Sequence, residues 1–203
     1  MQLIGMLDSP FVRRCYIVSQ RLGIALEHRP LSVFRNFAEF HAINPLVRAP
    51  TLILDDGTCL VDSSLIIEHL MSLDADHALL PPGSAAQLQC RRLTGLGLSL
   101  CDKAVQLYYE LGVRPQTLRW PEWITRCTGQ LRDNAALLEQ HAACPSGWLH
   151  GDRPCLSDIT IAVAWRFTHH VLPHILDPDE YPLLGALGAR AEALPEFVAA
   201  DFE

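Results

Sequence analysis

At Leu80-Pro81-Pro82-Gly83-Ser84 the chain changes character. Two prolines and a glycine in succession cannot continue a helix or a central strand, so this stretch reads as a linker. Before it, strand-like and helix-like stretches alternate. After it, strand signals fade and long segments of helical periodicity take over. A chain built this way folds as a small α/β domain followed by an all-helical one.

The first part supports that division in detail. Gln2–Met6 reads as a short apolar strand. Phe11–Leu22 reads as a helix with Val12, Cys15, Tyr16, Ser19 and Leu22 on one face, and Gly23 ends it. Ala25–Leu31 reads as a second strand and Asn36–Ala42 as a short irregular helix. Thr51–Leu54 and Thr58–Val61 flank Asp55-Asp56-Gly57, a hairpin signal. Ser63–Leu73 is helical again. A helix between two strands implies a parallel pair, and the hairpin adds an antiparallel edge, so the sheet is expected to be mixed and four-stranded. Beyond the linker, helices are expected over Ala85–Leu111, Pro121–Ala143, Leu156–Val171 and Tyr181–Leu194. Leu156–Val171 is the most apolar of them. The expected boundaries are 1–78 for the α/β domain, 79–84 for the linker and 85–203 for the helical bundle.

Composition narrows the partners. The net charge of −7, with no basic run, argues against nucleic acid. No segment has the length of uninterrupted apolar residues that a membrane span requires. Met1-Gln2-Leu3-Ile4-Gly5-Met6 lacks a basic start and a long apolar core, so no signal peptide is expected; the expected location is cytoplasmic. The seven cysteines are odd in number and contain no Cys-x-x-Cys pair. They read as buried free thiols in a reducing compartment rather than a disulfide framework or zinc site.

Four short elements in residues 1–65 carry the chemistry: Ser9-Pro10-Phe11-Val12-Arg13-Arg14, Asn44-Pro45, Arg48-Ala49-Pro50-Thr51-Leu52 and Asp62-Ser63-Ser64. Ser9-Pro10 falls where a strand gives way to a helix. Proline suits a first helical turn, and a helix N-terminus is an anion site. A hydroxyl there can donate to a thiolate; alternatively Ser9 is only a helix cap. Lowering a thiol pKa by about two units needs roughly 2.7 kcal/mol of preferential thiolate stabilisation. One charge-assisted hydrogen bond supplies about 1.5–3 kcal/mol and the helix terminus roughly 0.3–1. Ser9 can therefore activate a bound thiol without being a nucleophile.

Ala49-Pro50 opens a strand after a loop. A cis bond there would present the backbone of Ala49 to an extended peptide, whereas most X-Pro bonds are trans. Asp62-Ser63 opens the next helix. Ser63 and the helix terminus can hold a carboxylate and Asp62 an ammonium, or the pair can simply cap. Arg48 can pair with a second carboxylate, or be a solvated surface charge.

In order and spacing, these elements resemble the soluble glutathione transferases of the serine type, and the resemblance covers nearly the whole chain. It implies a thioredoxin-like first domain. It implies Ser9 at the catalytic position, with Phe11 in the same thiol-activating segment. The Arg-Ala-Pro segment resembles the family's Lys-Val-Pro. This implies that Pro50 is cis, that Ala49 binds the cysteinyl backbone and that Arg48 lies near the glycyl carboxylate. Asp62-Ser63 resembles the family's Glu-Ser pair for the γ-glutamyl group, with an acid one methylene shorter. Glutathione is the implied cosubstrate, with no metal. The implied activity is transfer of glutathione to a small electrophile, as in detoxification, or reduction of an organic peroxide. A homodimer is also implied.

The fold also hosts non-catalytic interaction or stress-regulatory modules, and glutathione-dependent isomerases or lyases; these are the alternatives. Relatives that reduce glutathionyl disulfides carry cysteine at the position of Ser9, so that activity is disfavoured.

Other residues have candidate roles. The resemblance places the long helix of the second domain beside the acceptor cleft, where Tyr108, Tyr109 and Asp102 are candidate contacts; helix packing and a solvated charge are the plain readings. Cys15 belongs to the core face. Trp165 and Phe167 read as core. His169, His170 and His174 straddle Pro173, which spoils a metal-binding pair, so they read as helix-end residues. Gly151-Asp152-Arg153-Pro154-Cys155-Leu156-Ser157-Asp158 resembles the family's capping segment, with Cys155 in place of Ser or Thr. Cysteine is a poor acceptor, so Asp158 is expected to contribute a weaker reciprocal cap and Ser157 to compensate.

Overall fold

The first strand, β1 (Gln2–Ile4), stops at Gly5 for a steric reason. In the computed structural model, which describes residues 1–76, 78–144 and 147–202, Gly5 adopts φ +136°. A Cβ there would sit 2.6 Å from Val12 Cγ2 and 3.0 Å from Ala49 Cβ. Only glycine permits that conformation and that approach. The chain then enters α1 (Pro10–Arg21), with Pro10 in its first turn. Val12, Cys15 and Ser19 are buried as their spacing requires. Tyr16 and Leu22 are only half-buried. Arg13, Arg14, Ile17 and Val18 are buried as well, so α1 is enclosed on more than one face.

From α1 the chain passes to β2 (Glu27–Arg29), parallel to β1. Next come α2 (Phe37–Ile43), β3 (Thr51–Ile53) and β4 (Cys59–Val61). The sheet order is β2-β1-β3-β4. β3 runs antiparallel to both β1 and β4. The Asp55-Asp56-Gly57 turn closes as its residues demand: Leu54 N donates to Thr58 O at 2.9 Å, and Thr58 N donates to Asp56 Oδ1 at 2.8 Å. α3 (Ser63–Ser72) completes the expected strand–helix order.

The second unit contains α4 (Ser84–Tyr108), α5 (Pro121–Glu139), α6 (Leu156–Val171) and α7 (Pro182–Glu192). The α-helical bonding of α4 stops at Tyr108, and a π-helical turn over Tyr109–Val113 follows. Gly97 keeps α4 close to α6, since a Cβ would lie 3.0 Å from Thr160 Cγ2 and 3.3 Å from Ile161 N. α6 is the core helix, burying Ile159, Ile161, Val163, Trp165 and Phe167.

The cap of α6 corrects one expectation. Asp158 accepts from Cys155 N and from Leu149 N, both at 2.9 Å, so its reciprocal cap is fully made. Ser157 does not compensate: its Oγ accepts from Cys90 Sγ at 3.6 Å. The carboxylate closes the cap regardless of how poorly the thiol accepts.

Two further readings are corrected. The last residues do not belong with the helical bundle: Ala193–Glu203 groups with Met1–Leu79, and the second unit is Leu80–Glu192. A short helix, α8 (Pro195–Val198), contacts α1, and Arg13 holds it there. Arg13 Nε donates to Ala200 O at 2.9 Å and Nη2 to Phe197 O at 3.4 Å. The rings of Phe197 and Phe202 lie 5.4 and 5.1 Å from the guanidinium. The cysteines are free, but not all are buried: Cys59, on the edge strand β4, is exposed, and Cys144 is half-buried.

Candidate functional site

Ser9 occupies the N-cap position of α1 in extended backbone (φ −72°, ψ 123°), yet its side chain makes no cap hydrogen bond. Ser9 is half-buried and stands at a helix start whose early N–H groups have no intrahelical acceptor. Phe11, in the first turn of α1, is half-buried.

The loop before β3 meets this helix start across the end of β1, since the same point at Gly5 adjoins both Val12 and Ala49. The Ala49-Pro50 bond is cis. Asn44 Nδ2 donates to Thr51 Oγ1 at 2.8 Å, and Thr51 Oγ1 donates to Arg48 O at 2.7 Å. This chain of bonds holds the loop in shape. Arg48 projects outward, with 62% of its side chain exposed, and its Nη2 lies 3.6 Å from Asp62 Oδ2. An exposed pair at that distance is weak and can be exchanged for a ligand.

Asp62 links β4 to α3 in left-handed backbone (φ 72°), and its Oδ1 accepts from Ser64 N at 2.8 Å. A non-glycine residue in that region carries a conformational cost of roughly 1–3 kcal/mol, and the cap offsets part of it. One Asp62 oxygen is thus committed to the helix and the other faces Arg48. Ser63 is buried and its Oγ accepts from Arg14 Nη1 at 2.9 Å.

Arg14 is the site residue that sequence reasoning passed over. It is 1% exposed and also donates to Ser64 Oγ at 3.3 Å. The available signal was an Arg-Arg pair inside the otherwise apolar run Val12–Val18, where a buried cation needs acceptors from elsewhere in the fold. Cys15, the next residue, donates from Sγ to Ser63 O at 3.6 Å. Burial pushes its thiol up to about 12, with Arg14 opposing, so it is protonated at physiological pH and packs as core.

In the second unit, Asp102, Tyr108 and Tyr109 are exposed. The two tyrosine rings lie 6.0 Å apart. Tyr109 helps to line a concavity of about 500 Å³ with Gln106, Glu110, Arg114 and Trp123. Tyr108 instead lies against Gly112, where a Cβ would come within 3.1 Å of its ring. Glu110 is buried, accepting from Trp120 N at 2.8 Å and pairing with Arg114 Nε at 2.8 Å. His169 Nδ1 bonds Trp165 O at 2.9 Å within its own helix, while His170 and His174 are exposed at its end. Among the described residues, no group of three or more His, Cys, Asp or Glu side chains is placed to hold a metal ion. Nor is any helix long and apolar enough to cross a membrane.

Known proteins are similar to this chain in sequence and fold. Residues 3–78 match the family described as the glutathione S-transferase N-terminal domain, and residues 121–187 match the glutathione S-transferase C-terminal domain. The GST-like protein YibF of Escherichia coli is 28% identical over 167 residues, covering 81% of this chain and 80% of that protein. Maleylacetoacetate isomerase of Pseudomonas aeruginosa is 30% identical over 147 residues, covering 68% of this chain and 66% of that protein. A glutathione S-transferase from Methylobacterium radiotolerans, crystallised with glutathione sulfonate, superposes with a TM-score of 0.89 at 28% identity, covering 98% of this chain and 93% of that one.

Proposed function

Since this chain belongs to the glutathione S-transferase family, we propose that it binds glutathione in its first unit and uses Ser9 to stabilise the thiolate. The observation that carries the proposal is the Ser9 hydroxyl, which sits at the N-cap of α1 but is not spent on capping. The hydroxyl donates to the sulfur, and the helix start adds its positive end. The backbone of Ala49, next to the cis bond, receives the cysteinyl residue as a short added strand. Arg48 leaves its exposed partner Asp62 for the glycyl carboxylate, and Asp62 then faces the γ-glutamyl ammonium. Ser63 and the start of α3 take the α-carboxylate.

The thiolate then attacks a small electrophile or reduces an organic peroxide. Tyr108, Tyr109 and Asp102 are the proposed acceptor contacts. The proposal includes a homodimer in the cytoplasm and no metal. A glutathione-bound crystal structure from Pseudomonas fluorescens, 25% identical with a TM-score of 0.87, supports the ligand.

Isothermal titration of glutathione and of S-methylglutathione tests the ligand. Binding of both in the micromolar-to-millimolar range is expected. Binding of neither overturns the reading in favour of a non-catalytic module. A glutathione-dependent isomerase is the second reading, favoured by the likeness to maleylacetoacetate isomerase. Product analysis separates the two, because conjugation consumes glutathione and isomerisation returns it.

A further inference from the structure

We propose that Arg14 is the positioning residue of the γ-glutamyl subsite: it sets the direction of the Ser63 hydroxyl and so selects for a ligand carboxylate at the start of α3. This rests on the reading of Ser63 as the contact for the α-carboxylate of glutathione.

Arg14 comes from α1, the helix that carries Ser9, and Ser63 opens α3. Their side chains meet through Nη1 and Oγ at 2.9 Å, across 49 residues of sequence. A hydroxyl has one proton and two lone pairs. A guanidinium has only donors and stays charged at every accessible pH. The Arg14 bond therefore occupies a lone pair of Ser63 and leaves the proton of Ser63 to point elsewhere, as a donor. The second bond, to Ser64 Oγ at 3.3 Å, places the same demand on the neighbouring hydroxyl. Cys15 Sγ reaches Ser63 O at 3.6 Å, so α1 grips both oxygens of Ser63.

The geometry also has an electrostatic consequence. Arg14 is 1% exposed, so its charge is poorly screened by solvent. Two donors aimed away from a buried cation, beside a helix N-terminus, favour an anion over a neutral group. Asp62 cannot take that role: its carboxylate accepts from Ser64 N and repels a second carboxylate, so recognition of the ligand carboxylate falls to Ser63 and the backbone. Ser9 and Arg14 lie on one rigid helix, so the sulfur and the γ-glutamyl head are held in register by α1 itself.

Arg13 supplies a matched control. It is adjacent and equally buried, but it serves the C-terminal segment through Ala200 O and Phe197 O rather than α3.

The experiment compares two probes by isothermal titration: glutathione and its analogue 4-aminobutyryl-cysteinyl-glycine, which lacks only the α-carboxylate. Arg14→Gln is expected to weaken glutathione binding roughly 10-fold to 100-fold, the scale of a charge-assisted hydrogen bond, and to change analogue binding less than about twofold. In a Ser63→Ala background the Arg14→Gln effect on glutathione should shrink to within about twofold. Arg13→Gln should not discriminate between the probes. Should Arg14→Gln fail to fold, Arg14→Lys keeps the charge but loses the fork, and is expected to show a smaller loss confined to glutathione. Equal losses on both probes, or full additivity with Ser63→Ala, would overturn the proposal while leaving glutathione binding intact. If the wild-type protein binds neither probe, the glutathione reading itself falls, and this inference with it.

Discussion

Ser9 holds a position in which a single hydroxyl decides between a structural and a chemical role. Because it makes no cap bond, Ser9→Ala should leave folding unchanged within about 0.5 kcal/mol. Glutathione affinity should stay within a few-fold while turnover falls at saturating glutathione; unchanged turnover would remove Ser9 from the mechanism. Ser9→Cys places a thiol at a helix N-terminus, where its pKa is lowered. That variant should form a mixed disulfide with oxidised glutathione, detectable by intact mass. Cys15 is the opposite case, since burial holds its proton well above the range of an ordinary thiol. The native protein treated with iodoacetamide near neutral pH should be labelled at exposed Cys59 and not at Cys15. Peptide mapping that found Cys15 alkylated first would contradict its burial. Gly5 tolerates no side chain. Gly5→Ala, with its Cβ 2.6 Å from Val12, should cost about 2–4 kcal/mol in denaturant unfolding, as strain and overpacking combine.

At the scale of the element, α6 depends on a cap that its sequence half conceals. Asp158 satisfies two buried donors, Leu149 N and Cys155 N. Leaving both without a partner costs about 1–3 kcal/mol each, so Asp158→Ala should destabilise the protein by roughly 2–6 kcal/mol. Cys155→Ser exchanges a poor acceptor for a good one and should stabilise by up to about 1 kcal/mol. A denaturant midpoint that moves the other way would mean the thiol packs better than a hydroxyl caps. The end of α4 poses a different question. Its π turn spans Tyr109–Val113, and Tyr109, Glu110, Val113 and Arg114 line the concavity together with Trp123.

At the scale of the whole molecule, the first unit is completed by residues from the far end of the chain. Arg13 is buried against carbonyls 184 and 187 residues away. Deleting residues 193–203 removes those acceptors and uncovers the apolar surface that Phe197 buries. Losing two hydrogen bonds from a charged donor, about 1.5–3 kcal/mol each, together with the cover of Phe197, should destabilise the truncated chain by several kcal/mol. Arg13→Met should destabilise the full-length protein more than the truncated one. A truncated chain as stable as the full one would show that the tail is dispensable.

The division between what the sequence determined and what the tertiary structure decided follows the range of the interactions. The Pro-Pro-Gly break, the Asp55-Asp56-Gly57 turn, the apolar periods of α1 and α6, and the alternation of strand and helix in 1–73 were legible because each depends on neighbours a few residues apart. The candidate pocket was legible in its order, because Ser9, Pro50 and Ser63 each open an element, and element starts have local signatures. The partner of Arg14 was not legible, nor were the clamp of Arg13 on the tail and the full cap by Asp158. Each is an acceptor supplied by a distant segment. A sequence shows that a buried cation or donor needs a partner; only the folded chain determines which one reaches it.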